Sequence, residues 1–195
     1  MTASTDSIFA YHIGIVVRDI EATRARYTEF LHVPRWHTWD VERAGLPTNP
    51  ATAGHRGRTR ISYGRTPGQT IELIQPVDGE SIWSVFLRDH GEGVQHLGVW
   101  TPDLPAAVAG ALTRGAAITH AILKDEGATV QVSASSPPDA LIRAIDPDQI
   151  AYIEPGLGGM QIEFVGPGGP NRMRAIMGED FDNVIASPPW QAARS

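Results

Sequence analysis

Two histidines and two glutamates stand out in this sequence because their types and spacing suit metal chemistry. His12 and His96 begin two copies of one pattern, His-x-Gly-x-x-x-x-Asp-[Ile/Leu], offset by 84 positions. Glu72 and Glu163 lie in a second repeat, Ile-Glu-Leu-Ile and Ile-Glu-Phe-Val, offset by 91. Each half of the chain therefore offers one histidine on an early strand and one glutamate on a late strand. Two such half-sites together would supply four nitrogen and oxygen ligands.

For each of these residues taken alone, the alternative is a purely structural role. A strand histidine is more often structural or exposed than metal-bound, and a glutamate inside an apolar strand is costly to bury unless it is paired. The coincidence of four matched positions favours a shared site, provided that a pseudo-two-fold axis relates the halves. Imidazole and carboxylate ligands suit Zn, Ni, Co, Mn or Fe(II). With four protein ligands, a six-coordinate ion keeps two positions for adjacent substrate oxygens and acts as a Lewis acid on an enolate.

The elements that would position these residues follow from hydrophobic patterning. A strand is predicted over 11–18, and Asp19 is predicted to cap a helix that runs to about Leu31. The buried stripe of that helix is predicted as Ile20, Tyr27, Phe30 and Leu31. Further strands are predicted over 35–41, 58–65 and 70–75, with a loop over 42–57. A linker helix is predicted over 81–90.

The second half repeats this order. A strand is predicted over 94–100, a helix from Asp103 to about Arg114, and strands over 116–123, 129–134, 150–154 and 160–165. An insertion with a short helical turn is predicted over 137–148. The predicted units are a lead-in (1–9), a first βαβββ module (10–76), a linker helix (77–93), a second module (94–166) and a tail (167–195). The tail is expected to dock on the body, reach a partner subunit or be partly disordered.

Composition narrows the function classes. The chain has 195 residues, a net charge of −6 and no cysteine, so disulfides, thiolate ligands and a cysteine nucleophile are excluded. The acidic balance argues against a broad nucleic-acid surface, and no apolar run reaches the length of a membrane helix. We expect a cytoplasmic protein with a small-molecule substrate, no nucleic-acid or membrane partner and no organic cofactor.

On these residues, positions 10–166 resemble the vicinal oxygen chelate superfamily, which includes glyoxalase I, methylmalonyl-CoA epimerase, extradiol dioxygenases and fosfomycin-resistance proteins. The segment 71–97, with its Gly-Glu-Gly-Val-Gln-His stretch, and the segment 158–163 are similar to the epimerase-like branch. The resemblance implies an α+β fold in which two tandem βαβββ modules form a cup-shaped half-barrel around one divalent metal. It implies His12, Glu72, His96 and Glu163 as the metal ligands, and it makes a homodimer an expectation.

The resemblance also implies an activity. We expect a metal-dependent isomerase or epimerase that chelates adjacent substrate oxygens and transfers a proton through an enolate-type intermediate. Glu72 and Glu163 are the candidate bases, and Glu42 lies near where the epimerases place a second acid/base residue. The epimerases often carry Gln in place of Glu72. Trp100 shares a strand face with His96 and is expected to line the substrate pocket, favouring an aromatic or bulky apolar substrate; core packing is the alternative.

Three other functions stay open. A glyoxalase-type lyase or hydrolase would use the same site, and its glutathione-dependent version would need rim cations, for which Arg56, Arg58 and Arg60 are available. An Fe(II) extradiol dioxygenase would use His12, His96 and Glu163, and Glu72 would then crowd the metal. A metal-free binding protein would have no need of four ligand-type residues.

Overall fold

The chain folds around a mixed β-sheet. The structure is a computed structural model and describes residues 9–44, 56–124, 138–156 and 159–185. The strands are β1 (Phe9–Val16), β2 (Trp36–Ala44), β3 (Arg56–Arg65), β4 (Thr70–Gly79), β5 (Gly93–Trp100), β6 (Ala117–Ala121), β7 (Ile150–Glu154) and β8 (Gln161–Val165). The helices are α1 (Ile20–Leu31), α2 (Ile82–His90), α3 (Leu104–Thr113), α4 (Pro138–Ala144), α5 (Gly169–Met177) and α6 (Phe181–Val184).

The sheet order is β2-β3-β4-β1-β5-β8-β7-β6. Strands β1 and β5 run antiparallel at its centre, with β4 parallel to β1 on one side and β8 parallel to β5 on the other. The outer pairs are antiparallel. The two halves therefore meet along β1 and β5 in pseudo-two-fold symmetry. The sheet curls into a half-barrel with helices, which confirms the predicted α+β fold.

The aspartate that ends each His-x-Gly repeat starts a helix. Asp19 Oδ1 accepts a hydrogen bond from Ala22 N at 3.0 Å, and Asp103 Oδ1 accepts one from Ala106 N at 2.9 Å. Each cap satisfies a backbone N–H that has no partner inside the helix, a contribution of about 1 kcal/mol. The repeat thus encodes a strand, the turn after it and the first turn of the next helix.

Three apolar clusters hold the elements together. On the first half, α1 covers β1 and β4 through Ile20, Leu73 and their neighbours. On the second half, α3 and α4 cover β7 and β8 through Leu104, Val108 and Ile145. The third cluster is rich in aromatic residues and includes side chains from the C-terminal segment 169–185. The metal-ligand candidates lie beside this third cluster.

The C-terminal segment is part of the core. Met173 and Met177 of α5 are buried, and Phe181, Val184 and Ile185 are buried at and after α6. A turn of 3-10 helix, Gly178–Asp180, joins the two helices. Of the three fates predicted for the tail, docking on the body is the one found for residues 169–185. Residues 186–195 lie outside the described part.

Several predicted details were wrong. Phe30 and Leu31 are 70% and 44% exposed, whereas Ile20 and Tyr27 of the same helix pack in the apolar cluster of the first half. The loop predicted over 42–57 is shorter than expected, since β2 continues to Ala44 and β3 begins at Arg56. Strand β4 continues to Gly79, with a register shift opposite Pro76, which has no N–H to donate. The predicted strand 129–134 lies outside the described residues.

No helix in the described part of the chain is both long enough and apolar enough to span a lipid bilayer.

Candidate metal centre

The structure brings His12, Glu72, His96 and Glu163 together inside the half-barrel. One ligand-type atom from each lies within 4.8 Å of all the others. Both histidines are fully buried, and both glutamates are 5% exposed. The two histidine Nε2 atoms are 2.9 Å apart, and each is 3.0 Å from Glu72 Oε2. Glu163 Oε2 lies 3.3 Å from His12 Nε2 and 3.6 Å from His96 Nε2.

The register of the central strands produces this convergence. His12 on β1 pairs with Gly98 on β5, and His96 on β5 pairs with Gly14 on β1. Next to these pairs, Gly14 is in register with Glu72 on β4, and Gly98 is in register with Glu163 on β8. Each glutamate therefore lies two strands away from the histidine of the other half, across a glycine.

The two glycines make room for the rings. A Cβ atom built on Gly98 would overlap the His12 imidazole, and one built on Gly14 would overlap the His96 imidazole. The rings therefore lie where any other residue would place its side chain. This close approach explains why the repeat reads His-x-Gly: each half supplies one ring and the space for the ring of the other half.

Residues that bulge from the central ladder precede both histidines. Tyr11 is the extra residue on β1, and Gln95 is the extra residue on β5. Gln95 is buried, and its Oε1 lies 2.6 Å from His96 Nδ1. An amide oxygen accepts, so this bond holds the proton of His96 on Nδ1 and leaves the Nε2 lone pair directed at the cluster. Sequence reasoning missed Gln95, because Tyr11 at the matched position breaks the repeat.

The electrostatics of the cluster favour a cation. Burial lowers the pKa of His12, but the carboxylates of Glu72 and Glu163 outweigh this effect and raise the pKa to about 9. Burial raises the pKa of Glu72, but the attraction of His12 and His96 holds it below its ordinary value. The pKa of Glu163 is likewise lowered, against burial and the repulsion from Glu72, by the two histidines. Both carboxylates are therefore charged at neutral pH.

The donor set fits a divalent metal ion. Two ligands bound at right angles, each about 2.1 Å from an ion, lie about 3.0 Å apart, as the three closest atoms here do. Glu163 Oε2 is buried without a hydrogen-bond partner, and a cation would satisfy it. Two negative carboxylates would be balanced in full by a divalent charge. Imidazole and carboxylate ligands suit Zn, Ni, Co, Mn or Fe(II).

A small cavity of about 30 Å³ adjoins the cluster, with room for about two water molecules. Glu72 and Glu163 line it together with five aromatic residues: Tyr11, Trp39, Tyr63, Trp83 and Tyr152. Arg172 and Met173 of α5 line it as well, and the remaining lining residues are Ile61, Ile150 and Val165. The C-terminal segment therefore covers the same cavity that the glutamates face.

Two of these aromatic residues, like the two glutamates, occupy matched positions in the two halves. Tyr63 pairs across the sheet with Glu72, and Tyr152 pairs with Glu163. Burial, followed by the negative charge of Glu72, raises the pKa of Tyr63 well above its ordinary value, so its hydroxyl stays protonated. Sequence reasoning missed both tyrosines. The signal was present, since they fall nine and eleven residues before the two glutamates.

Trp100, which was expected to line the substrate pocket, packs in the core beneath α5 and is not among the residues that line the cavity. Its ring is 1% exposed and stacks on Tyr11 with centroids 4.0 Å apart. A Cβ atom on Gly169 of α5 would overlap the Trp100 ring, so the helix lies directly against it. Tyr11, rather than Trp100, is the residue of this stack that lines the cavity.

Glu42 is not brought to the cluster. It is exposed on β2 and pairs across the sheet with Arg58. The side chains of β2 alternate, and its neighbour Val41 packs against the inner cluster, so Glu42 projects from the opposite face. The prediction of Glu42 as an acid/base residue therefore lacks the geometry it needs.

The arginines considered for a glutathione site are on the outer face as well. Arg60 Nε donates to Asp40 Oδ1 at 2.7 Å, and Arg58 Nε donates to Asp78 Oδ2 at 3.1 Å. Both side chains are engaged in exposed ion pairs. The side chain of Arg56 lies outside the described part.

Comparison with known proteins identifies the family. The model of the Glyoxalase/Bleomycin resistance protein/Dioxygenase superfamily matches residues 11–137, well over half of the chain. The chain belongs to this superfamily. The predicted vicinal oxygen chelate resemblance is thereby confirmed. A search of curated proteins finds no significant match.

Solved structures of this superfamily's fold resemble the chain at low sequence identity. Methylmalonyl-CoA epimerase from Mycobacterium tuberculosis is 22% identical, with a TM-score of 0.51 over 85% of this chain and 92% of that one. A variant of 4-hydroxymandelate synthase from Streptomyces coelicolor is 18% identical, with a TM-score of 0.54 over 83% of this chain and 49% of that one. At such identities the likeness shows the fold alone.

Proposed function

We propose that this protein is a divalent-metal-dependent isomerase or epimerase that binds a small substrate through two adjacent oxygens and moves a proton at the neighbouring carbon. The observation that carries the proposal is the convergence of four buried ligand-type atoms from two matched half-sites. A divalent ion, when bound, would supply Lewis acidity to a substrate oxygen that gains negative charge. The residues that would hold it are His12, Glu72, His96 and Glu163.

The two carboxylates have different roles in this proposal. Glu72 Oε2 lies 3.0 Å from both histidine Nε2 atoms and is the more tightly held. Glu163 Oε2 lies farther from both and has no hydrogen-bond partner. Because Glu163 also lines the cavity and is the less tightly held carboxylate, we assign its other carboxylate oxygen, the one that would not hold the ion, to take and return the substrate proton.

The surrounding residues would orient the substrate and exclude water. Tyr11 and Tyr63 line the cavity, and the pKa of each is raised well above its ordinary value, first by burial and then by the glutamate charges. Their hydroxyls therefore stay protonated at neutral pH, and because they hydrogen-bond to each other, one O–H of the pair is left to donate to a substrate oxygen. Met173 and Arg172 of α5 line the cavity with them. A cavity with room for only about two water molecules strengthens each of these polar interactions.

The test is solvent exchange. Protein loaded separately with Zn, Ni, Co or Mn is incubated in deuterated water with pyruvate, hydroxyacetone and methylmalonyl-CoA, and deuterium at the carbon next to the carbonyl is followed by NMR. We expect metal-dependent exchange with at least one compound class, lost in Glu163→Gln and retained in Glu29→Gln, an exposed control on α1. Exchange that is equal with and without metal would contradict the proposal. Conversion of methylglyoxal to lactate without such exchange would favour the lyase alternative.

A further inference from the structure

The cavity beside the four-residue cluster is small for a substrate site. Its volume is about 30 Å³, whereas pockets for drug-sized ligands measure roughly 300–1,000 Å³. It has room for about two water molecules, so two substrate oxygens and the carbons that carry them would nearly fill it. The residues that line the cavity therefore decide how large a substrate can be.

Much of the cavity wall consists of aromatic rings that pack against other rings. Trp39 stacks on Tyr63, with ring centroids 5.6 Å apart. Tyr11 stacks on Trp100, with centroids 4.0 Å apart, and Trp83 of α2 is buried. A ring in a close-packed interior moves only if its neighbours move as well. This part of the wall is therefore rigid.

Met173 is the adaptable part of the wall. It lines the cavity from α5, and a methionine side chain is unbranched and flexible. Its helix packs closely on the body, since a Cβ atom on Gly169 would overlap the Trp100 ring. Arg172 Nη1 donates to Gln149 Oε1 at 2.7 Å and ties the same helix to the residue before β7. Met173 can therefore change its rotamer, but its backbone stays at the wall of the cavity.

We propose that Met173 sets the size limit of the substrate, and that the substrate is a free hydroxy or oxo compound of about two or three carbons. This inference rests on the proposed function. An aromatic or branched group next to the chelating oxygens would need the space that the Met173 side chain occupies. Trp100, from which a bulky apolar substrate was expected, is not among the residues that line the cavity.

Acetohydroxamate and benzohydroxamate are the probes. Both chelate a metal through the same two adjacent oxygens, and they differ only in carrying a methyl or a phenyl group. Binding of each to zinc-loaded protein is measured by calorimetry, and zinc affinity is measured separately by competition with a chromogenic chelator. We expect acetohydroxamate to bind roughly tenfold to 100-fold more tightly, because the phenyl group would overpack the cavity. Met173→Ala removes Cγ, Sδ and Cε, so it should tighten benzohydroxamate binding by roughly tenfold and leave acetohydroxamate binding unchanged.

Two variants serve as controls. Met177→Ala makes the same substitution one turn further along α5, where the side chain is 4% exposed and is not part of the cavity lining. Met173→Leu keeps a side chain of similar volume at the wall. Both should retain the preference for acetohydroxamate. Zinc affinity should be the same in every variant, which shows that the fold and the metal site are intact. If Met173→Ala does not fold, Met173→Val shortens the side chain with less loss of packing and should give a smaller change in the same direction.

The outcomes separate the size limit from the proposed function. Zinc binding with equal affinity for the two hydroxamates would overturn the size limit and leave the metal proposal standing. A gain in benzohydroxamate affinity that is as large in Met177→Ala as in Met173→Ala would overturn the role of Met173. Zinc binding without binding of either hydroxamate would refute chelation of adjacent oxygens and the size limit together. Absence of zinc binding would refute the metal-dependent function, and the size limit would fall with it.

Discussion

Replacing Gly98 with alanine tests the metal centre without touching any proposed ligand. The new Cβ atom would lie 2.5 Å from His12 Nε2 and still closer to other atoms of the ring. Ordinary packing of a Cβ atom begins at 3.4 Å. His12 Nε2 would therefore have to move by about 1 Å, which exceeds the roughly 0.2 Å tolerance of a metal–ligand distance.

The expected loss of zinc affinity follows from the contribution that one of four ligands makes to the binding free energy. Four-ligand zinc sites bind with about 10–16 kcal/mol, so a quarter of that is about 3 kcal/mol. This corresponds to roughly a 100-fold weaker zinc affinity. Overpacking a well-packed interior should also lower the free energy of unfolding by about 1–3 kcal/mol. The variant should remain folded, because the methyl displaces a side chain and leaves the strand pairing intact.

The assay is a zinc competition titration, accompanied by the d–d absorption spectrum of cobalt-loaded protein. Gly93→Ala is the matched control, since it lies on the same strand β5 and its added Cβ would meet open space. It should bind zinc as the unmodified protein does. Gly14→Ala should repeat the loss, because its Cβ would displace the His96 ring instead. Unchanged zinc affinity and an unchanged cobalt spectrum in Gly98→Ala would refute His12 as a ligand.

Three further predictions concern the tail and the second half-site. Phe181→Ala should lower the free energy of unfolding by about 3–5 kcal/mol in urea titrations, because the ring is fully buried; a change under about 1 kcal/mol would mean that the tail is not part of the core. Arg35 and His37 hold the pKa of Asp180 below its ordinary value, so its contribution to stability is present above about pH 3.9 and is lost as pH falls. The Tm advantage over Asp180→Asn should accordingly shrink below about pH 4; a pH-independent difference would contradict the ion pair. Gln95→Leu should weaken zinc binding by about 10–100-fold, and an unaltered affinity would show that the bond to His96 Nδ1 is not needed.

The internal repeat made the centre of the fold predictable. A β-strand, the turn after it and a capped helix each have a recognisable local sequence pattern. The offset of 84 positions between the two copies relates His12 to His96 from the sequence alone. The glutamates were found for the same reason, since a charge inside an apolar strand is conspicuous. The role of Gly14 and Gly98 in making room for an imidazole was not predictable, because each glycine contacts a histidine ring that belongs to the other half of the chain.

The outer parts of the site were harder to predict. Arg172 enters the cavity because α5 packs over the aromatic cluster, and nothing local in a Gly- and Pro-rich tail specifies that docking. Trp100 was predicted from strand alternation to line the pocket, and alternation could not reveal its burial under Gly169, which is a tertiary contact. The misplacement of Glu42 has a related cause, since nearness to a family position in the sequence gives no information on which face of a long hairpin strand a residue occupies.

Metal content is the most direct measurement of the central claim. The full chain is purified without an affinity metal, alongside His96→Ala, and its metals are quantified by mass spectrometry before and after reconstitution with Zn, Ni, Co, Mn and Fe(II). We predict about one divalent ion per chain, and we predict that His96→Ala, while still folded, loses it. No bound metal in the unmodified protein after any reconstitution, or equal metal in His96→Ala, would contradict the assignment of the four residues as ligands.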